Sequence, residues 1–324
     1  MAELRRLLTE HELVLTEGAV IERLRRSSSV QLDAYVANAT LVGDRKGRLV
    51  MGRIYREYLD IGQATGMPML LLTPTWRASA ERVERAGIGL DVNQAAFEML
   101  AGIRRHYGEY GELVAIGGLV GPKSDAYRPT SALPPDAAQE YHRPQVEELV
   151  VAGVDFILGA TLPAVSEAIG IAEAVADFGM PYLLSFVLRP DGAVLDATLL
   201  ASAIRKVDEA ARHRPLGYLV NCVHPDTFRL AGEQLQGVPE ARARLLGLQA
   251  NASRKSAEVL DGSDATDAGD PAEFGRQMAA LWDEFGLRVL GGCCGTDGRH
   301  IRAIAEALVP GEPGWNRTPG AGGA

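Results

Sequence analysis

The sequence predicts a single (β/α)8 barrel of the TIM type. The chain has 324 residues, which is long enough for one such barrel. Eight short apolar segments rich in Val, Ile and Leu recur along it, and stretches with a helical period of apolar residues separate them. Apolar strands without alternation are typical of parallel sheets covered on both faces. Successive strand–helix units therefore favour a closed barrel.

The predicted elements follow the chain in order. Helical patterns are expected near 49–65, 80–106, 136–152, 225–236 and 270–286, with further apolar stripes after the fourth, fifth and eighth strands. The predicted strands are Leu13–Thr16, Pro68–Thr73, Leu113–Leu119, Val154–Gly159, Tyr182–Val187, Gly217–Asn221, Leu245–Ala250 and Leu287–Leu290.

The alternative fold is a doubly wound sheet with an appended domain. A G-x-G-x-x-G turn after the first strand would favour it, and the sequence has none there. We therefore expect one barrel domain over residues 1–310. Residues 311–324, which include Trp315, have the Gly-rich and Pro-rich composition of a poorly ordered tail. The connection Gly121–Pro135, with its several prolines, is a candidate lid.

The composition excludes several function classes. A formal net charge of −9 makes a basic surface for nucleic acid or anionic lipid unexpected. No apolar run is long enough to span a membrane, and the first residues lack the apolar core of a secretory signal. Three cysteines do not make a disulfide framework. We expect a cytoplasmic protein with small-molecule partners, and a homo-oligomer is compatible with this sequence.

The cysteines mark the candidate site. Cys222 follows the sixth predicted strand, and Cys293 and Cys294 follow the eighth. In barrels of this kind the active site forms at the carboxyl ends of the strands. Adjacent side chains on a strand point to opposite faces, but the flanking glycines let the backbone leave strand geometry. Three thiolates with an open fourth position suit Zn2+. The alternative is a vicinal disulfide or redox pair of Cys293 and Cys294.

The charge of such a centre narrows the reaction. Zinc with three thiolates carries a net negative charge, so it is a poor Lewis acid for polarising a carbonyl or generating hydroxide. It is better matched to binding a further thiol, which is deprotonated at neutral pH and remains nucleophilic. Thiol alkylation by an electrophilic methyl group is the natural chemistry. The methyl donor would be a sulfonium or a quaternary ammonium compound.

The string Gly-Gly-Cys-Cys-Gly-Thr at 291–296, with Asn221-Cys222 upstream, resembles the signature of the zinc-dependent homocysteine S-methyltransferase family. Three further segments resemble that family: Val14–Ala19, the Tyr-His-Arg-Pro-Gln string at 141–145, and Leu248–Asn251. The resemblance covers about residues 10 to 308. It implies a TIM barrel and S-methyl transfer to homocysteine.

The resemblance also assigns the site. It implies that Cys222, Cys293 and Cys294 hold zinc and that the homocysteine sulphur takes the fourth position, with no catalytic residue beyond the zinc site. Two family acids hold the amino group of the substrate. Glu17 stands at the first position in place of Asp, and Ala160 stands at the second, where the family has Glu. The expected substrate-binding residues are Glu17, Gly18, Thr161, Ser185 and Asn221.

Other functions remain open because of Ala160. The acceptor can be a thiol without an α-amino group, or the protein can be a non-catalytic relative that binds zinc or a thiol. The neighbouring polar residues have structural interpretations. His224 is expected to begin a helix and not to bind the metal, Asp297 is expected to cap the last helix, and Glu22, Arg23, Arg25 and Arg26 are expected to form a solvated helix face.

Overall fold

Eight parallel strands close into one barrel in the computed structural model, which describes residues 3–255, 259 and 267–308. The strands follow one another around the barrel in chain order, and the first pairs with the last through Val14 beside Val289. The predicted (β/α)8 fold is confirmed. The strands are β1 Val14–Thr16, β2 Met69–Leu72, β3 Val114–Val120, β4 Phe156–Leu162, β5 Tyr182–Phe186, β6 Gly217–Asn221, β7 Leu245–Ala250 and β8 Val289–Gly292.

The helices surround the barrel, and most lie where the apolar periodicity places them. Several begin at an aspartate whose side chain accepts a hydrogen bond from the first turn, as Asp44 and Asp91 do. The α-helices are Glu3–Glu10, Ile21–Arg25, Arg45–Thr65, Ala80–Arg85, Val92–Arg105, Pro135–Ala152, Val165–Ala176, Leu200–Ala210, Pro225–Gln236, Pro239–Arg242, Pro271–Phe285 and Gly298–Ala307. The 3-10 turns are Ala39–Val42, Gly108–Leu113 and Pro129–Ser131.

Two apolar clusters stabilise the barrel. The smaller lies inside it and includes alternate residues of a strand, such as Leu70 and Leu72 of β2. The larger lies between the strands and the surrounding helices and includes the intervening residues Met69 and Leu71. The strands are buried on both faces for this reason, which explains their unbroken apolar sequence. The helix Glu3–Glu10 was not predicted; its Leu4 and Leu7 belong to the interior cluster.

One predicted helix is wrong. The stretch 80–106 contains two helices, Ala80–Arg85 and Val92–Arg105, and not one. The first ends before Gly87, which adopts a left-handed φ of 63°, and Asp91 caps the second. A glycine in this conformation and a capping aspartate end one helix and begin the next, and the apolar periodicity on either side concealed the break.

Two strands extend at least two residues further toward the carboxyl end than predicted. β4 was expected to end at Gly159 and continues to Leu162, with a register shift between these residues. β8 was expected to end at Leu290 and continues through Gly292. The added residues, 160–162 of β4 and 291–292 of β8, include a threonine or glycines and lack the apolar run that predicts a strand. Hydrogen bonds from neighbouring strands hold them in place.

Two predicted caps are confirmed. His224 precedes the helix Pro225–Gln236 and accepts a hydrogen bond from the Asp226 amide. Asp297 caps the helix Gly298–Ala307 in a capping box with His300. Within the described part of the chain, none of the helices has the length and apolar character needed to cross a membrane. The predicted tail 311–324, with Trp315, lies outside the described residues.

Candidate metal centre

The three cysteines meet at the carboxyl end of the barrel. Cys222 directly follows β6, and Cys293 and Cys294 directly follow β8. Their sulphur atoms all lie within 4.8 Å of one another, and the Cys222 and Cys293 sulphurs are 2.9 Å apart. Cys222 is buried, and the other two are partly exposed. The structure thus joins residues that are separated by about seventy positions in the chain.

Backbone hydrogen bonds fix the two cysteine segments. Cys222 has a left-handed φ of 57°, and its amide donates to the Gln249 carbonyl at 3.2 Å. The Cys293 amide donates to the Ala250 carbonyl at 2.7 Å, and the Cys294 amide donates to Asn251 Oδ1 at 3.0 Å. Strand β7 therefore positions both segments, because it lies between β6 and β8.

Asn221 connects Cys222 to the neighbouring strands. Its Oδ1 accepts hydrogen bonds from the Thr161 amide at 3.0 Å and from Ser185 Oγ at 2.7 Å. Its Nδ2 donates to Thr161 Oγ1 at 2.9 Å and to the Cys222 sulphur at 3.2 Å. Thr161, Ser185 and Asn221, three of the predicted substrate-binding residues, thus form one buried network beside the sulphurs.

Glu17 and Gly18 lie at the end of β1. The Glu17 carboxylate is buried and accepts a hydrogen bond from the Leu72 amide at 2.8 Å. Burial raises its pKa well above the usual value, although the Leu72 hydrogen bond lowers it. None of the basic side chains in the described ranges forms an ion pair with Glu17. A Cβ on Gly18 would lie 2.9 Å from both the Thr296 and the Tyr58 hydroxyl oxygens, so this close approach requires glycine.

The thiols change one another's acidity. For Cys222, the hydrogen bond with Cys293 lowers the pKa, whereas the hydrogen bond with Cys294 and burial raise it, and the net pKa lies above that of a free thiol. The pKa values of Cys293 and Cys294 are also raised. Three buried thiolates repel one another unless a cation neutralises them. Burial and this repulsion therefore both favour the neutral thiols over the thiolates in the absence of a cation.

The donor set fits a soft divalent ion. Two thiolates of one tetrahedral zinc lie about 3.8 Å apart, given a Zn–S bond of about 2.3 Å. The observed sulphur separations, from 2.9 Å to at most 4.8 Å, bracket that value. All three cysteines are free thiols in the structure, so Cys293 and Cys294 do not form the alternative vicinal disulfide there. Thiolate ligands select zinc over the harder divalent cations.

Some residues near the cluster were missed or misassigned. Glu22 and Arg23 were expected on a solvated helix face, and this is wrong. The Glu22 carboxylate accepts a hydrogen bond from the Gly295 amide at 2.5 Å, and Arg23 contacts the Tyr58 hydroxyl at 3.1 Å and pairs with Glu57. Helical spacing alone does not show which charged side chains meet a loop from the far end of the chain.

Two aromatic residues also belong to this end of the barrel. Tyr127, in the candidate lid Gly121–Pro135, packs against the large apolar cluster and lowers the pKa of Cys222. The Trp76 indole donates to the Ala160 carbonyl at 3.4 Å. Ala160 itself is buried and presents no side-chain charge. The sequence signal for Tyr127 was the length of the connection after β3, and Trp76, which follows β2, had none.

The family model for homocysteine S-methyltransferases matches residues 14–308, which is nearly the whole chain. The chain belongs to the homocysteine S-methyltransferase family. Among curated relatives, it is 26% identical to bovine (Bos taurus) betaine–homocysteine S-methyltransferase 1, over 94% of this chain and 74% of that protein. It is also 26% identical to the homocysteine S-methyltransferase of Escherichia coli, over 93% of this chain and 97% of that protein.

The fold of this family member is shared with a solved structure. The E. coli homocysteine methyltransferase MmuM in its metallated form aligns with 94% of this chain and 99% of its own, at a TM-score of 0.73 and 21% identity. That likeness shows the same barrel. Family membership and the curated relatives together identify the protein as a methyltransferase. The predicted enzyme class is confirmed.

Proposed function

We propose that this protein transfers a methyl group from a sulfonium or quaternary ammonium donor to a thiol acceptor that is bound at a zinc ion. The observation that carries the proposal is the meeting of three free thiols within 4.8 Å at the carboxyl end of the barrel. Cys222, Cys293 and Cys294 would hold the ion. Bound zinc would supply the charge that keeps the acceptor thiol deprotonated at neutral pH.

The chain's own residues then align the reactants. The acceptor sulphur forms a bond to the methyl carbon, and the bond from that carbon to the onium atom breaks, leaving its electron pair on the donor. No side chain must supply a proton in this step, because the onium atom becomes neutral when it takes the electron pair of the broken bond. The contributions of the protein are therefore metal ligation, alignment and exclusion of water.

We propose that homocysteine or a similar thiol is the acceptor. The buried Glu17 carboxylate lies without a basic partner among the described side chains, and an ammonium group would supply one. Gly18 permits close approach at the same strand end. Thr161 and Ser185 would line the acceptor side, and Asn221 would hold them there. Relatives named as homocysteine S-methyltransferases support this acceptor.

Ala160 favours a second kind of acceptor, a thiol without an α-amino group. This buried residue provides no carboxylate, and Trp76 already occupies its carbonyl oxygen. Losing one ionic partner of an ammonium group weakens binding. A thiol without an α-amino group, such as 4-mercaptobutanoate, would avoid this loss. Comparing it with homocysteine, of which it is the deaminated form, distinguishes the two acceptors directly.

The test combines metal analysis with turnover. Purified protein should contain one equivalent of zinc and should methylate homocysteine or 4-mercaptobutanoate with S-methylmethionine, betaine or S-adenosylmethionine. C222A, C293A and C294A should each lose zinc and transfer, whereas T65A, at the far end of a long helix, should lose neither. Active protein without metal would contradict the proposal, as would zinc and thiol binding without turnover on any of these donors.

A further inference from the structure

Arg77 is a partly buried cation in the segment that follows β2 at the carboxyl end of the barrel. Its Nη1 donates to two neutral groups of the candidate lid, the carbonyls of Pro122 at 3.2 Å and Ser124 at 2.5 Å. Across the described ranges of the chain, no carboxylate forms an ion pair with it. A charge that leaves water without a counter-charge costs free energy, so this guanidinium is suited to binding an anion.

The surroundings of Arg77 do not neutralise its charge. Burial, with a smaller contribution from Arg82, lowers its pKa to about 10, although Asp125 acts in the opposite direction. Asp125 pairs with Arg128 at 3.3 Å. The pKa of Arg77 still lies above neutrality, so the side chain is a cation under the conditions of methyl transfer, and a bound carboxylate would stabilise it.

The hydrogen bonds of Arg77 leave one edge of its guanidinium unused. Nη1 makes both bonds to the candidate lid, and Nε and Nη2 donate to no group within the described residues. These two nitrogens form the edge that can bind both oxygens of a carboxylate. Arg82 differs, because its Nη1 donates to the Tyr35 carbonyl and its Nη2 to the Lys123 carbonyl, each at 2.9 Å. Of these two arginines, Arg77 is the one with a complete edge for a ligand.

Trp76 connects Arg77 to the acceptor side of the candidate metal centre. The guanidinium lies over the Trp76 ring, with its Cζ 4.2 Å from the ring centroid. The Trp76 indole donates to the Ala160 carbonyl at 3.4 Å, and Ala160 precedes Thr161, which would line the acceptor side. Trp76 also packs closely against Gly121, where a Cβ would lie 2.5 Å from the indole nitrogen. These contacts fix the cation relative to the end of β4.

Both candidate acceptors carry the group that Arg77 can bind. Homocysteine and 4-mercaptobutanoate each have a carboxylate at the end remote from the thiol, and they differ in the α-amino group. None of the side chains assigned so far to the acceptor carries a positive charge, since they are one carboxylate, two hydroxyls and one amide. Arg77 supplies the charge that this set lacks.

We propose that Arg77 binds the carboxylate of the acceptor thiol through its Nε and Nη2 edge, so that the enzyme selects thiols that carry a carboxylate. The inference rests on the proposed methyl transfer and narrows its acceptor class. Arg77 is then a substrate-binding residue that also holds the start of the candidate lid. The selection applies with or without an α-amino group, because the carboxylate is common to both kinds of acceptor.

The test compares ligands that differ in the carboxylate alone. Isothermal titration calorimetry measures the Kd of 4-(methylthio)butanoate and of 4-(methylthio)butan-1-ol, and turnover gives the KM of the two corresponding thiols. The variant R77Q removes the charge, and R77K keeps the charge without the paired donors. The matched control is R82Q, because Arg82 also donates to a carbonyl of the candidate lid.

We expect wild type to bind the carboxylate about tenfold more tightly than the alcohol, since a hydrogen bond to a charged group has about that effect on affinity. R77Q should lose this preference through weaker binding of the carboxylate alone, and R82Q should retain it. If Arg77 only held the candidate lid, R77Q would weaken both ligands alike, which would overturn the inference. Should R77Q not fold, R77K gives the same comparison, and an undiminished preference there would overturn it.

A carboxylate on the methyl donor is the other possible ligand of Arg77. Betaine and tetramethylammonium are therefore compared as donors at saturating acceptor, and R77Q should change the KM of the two donors alike. A larger effect on betaine, with no change in the acceptor preference, would overturn the inference by assigning Arg77 to the donor. Wild type without zinc or turnover would instead refute the proposed function, whereas the calorimetric comparison requires neither.

Discussion

Asn221 and Thr161 are joined by a pair of hydrogen bonds across the mouth of the barrel: the Thr161 amide donates to Asn221 Oδ1 at 3.0 Å, and Asn221 Nδ2 donates to Thr161 Oγ1 at 2.9 Å. Thr161 has a left-handed φ of 63°, and Cys222, next to Asn221, has one of 57°. A non-glycine residue in this region costs about 1–3 kcal/mol unless its surroundings hold it there. The hydrogen bonds of the Asn221 side chain to Thr161 and to the Cys222 sulphur stabilise both residues in this conformation.

The variant N221A should therefore lose stability and metal together. Removing four hydrogen bonds leaves the buried Thr161 amide without its partner, and we expect a loss of about 2–4 kcal/mol in the free energy of unfolding. S185A removes one of these bonds and should cost about 1 kcal/mol. Chemical denaturation gives both values. Equal losses for the two variants would show that Asn221 is not the centre of the network.

Glu17 should make stability depend on pH. Burial raises its pKa, so the folded protein keeps a proton that the unfolded chain has lost. As pH rises above the unfolded value of about 4.3, the wild type is destabilised relative to E17Q by about 1.36 kcal/mol per pH unit, until the folded carboxyl itself ionises. The neighbouring Tyr55 and Tyr58 stay neutral there, because burial raises their pKa values too.

Denaturation midpoints of wild type and E17Q at about pH 4, 5.5 and 7 measure this effect. The two proteins should be similar at the lowest pH, and E17Q should be the more stable at the highest. E10Q, an exposed change near the amino terminus, should show no such trend. A constant difference between wild type and E17Q at all three pH values would mean that the Glu17 carboxyl does not titrate abnormally.

Gly295 should not tolerate a side chain. Its φ is 80°, and a Cβ there would lie 2.6 Å from the Asp267 carbonyl oxygen. Gly66 has a similar φ of 68° but open space around it. We expect G66A to cost about 1 kcal/mol, from the backbone alone, and G295A about 2–4 kcal/mol, together with weaker zinc binding. Thermal unfolding and competition with a chelator measure the two effects; equal costs would leave the predicted clash without support.

Glu22 should tune the pH at which the metal is released. Its carboxylate contributes to raising the pKa of Cys294 and accepts the Gly295 amide. E22Q removes the charge but retains an oxygen acceptor. The Cys294 pKa should then fall, so the thiolate should persist to lower pH, and the midpoint of zinc release should move down by a few tenths of a pH unit.

The control for Glu22 is E57Q, on the same end of the barrel. Glu57 accepts the Gly298 amide and pairs with Arg23, and it does not contact the cysteines. The pH midpoint of zinc release from E57Q should equal that of wild type. A shift to higher pH in E22Q would indicate that the hydrogen bond to Gly295, and not the charge, is what matters.

Much of the molecule was predictable from local sequence. Strands buried on both faces need unbroken apolar residues, so their number and order could be recognised, and Cys222, Cys293 and Cys294 follow two of them. The break near Gly87 was missed because both flanking helices have the same apolar period. Glu22 was misassigned because a charged residue on a short helix has no local feature that indicates a contact with Gly295.

The sequence by itself determined the barrel, the position of the three cysteines at the ends of two strands, and the family, because each depends on residue types at positions that strand order brings together. Only the tertiary structure decided how the cluster is held: that Asn221 bonds Thr161 and the Cys222 sulphur, and that β7 supports both cysteine segments. The physical reason is that hydrogen bonds between loops depend on distances and directions in the closed barrel, and no periodicity along the chain encodes these.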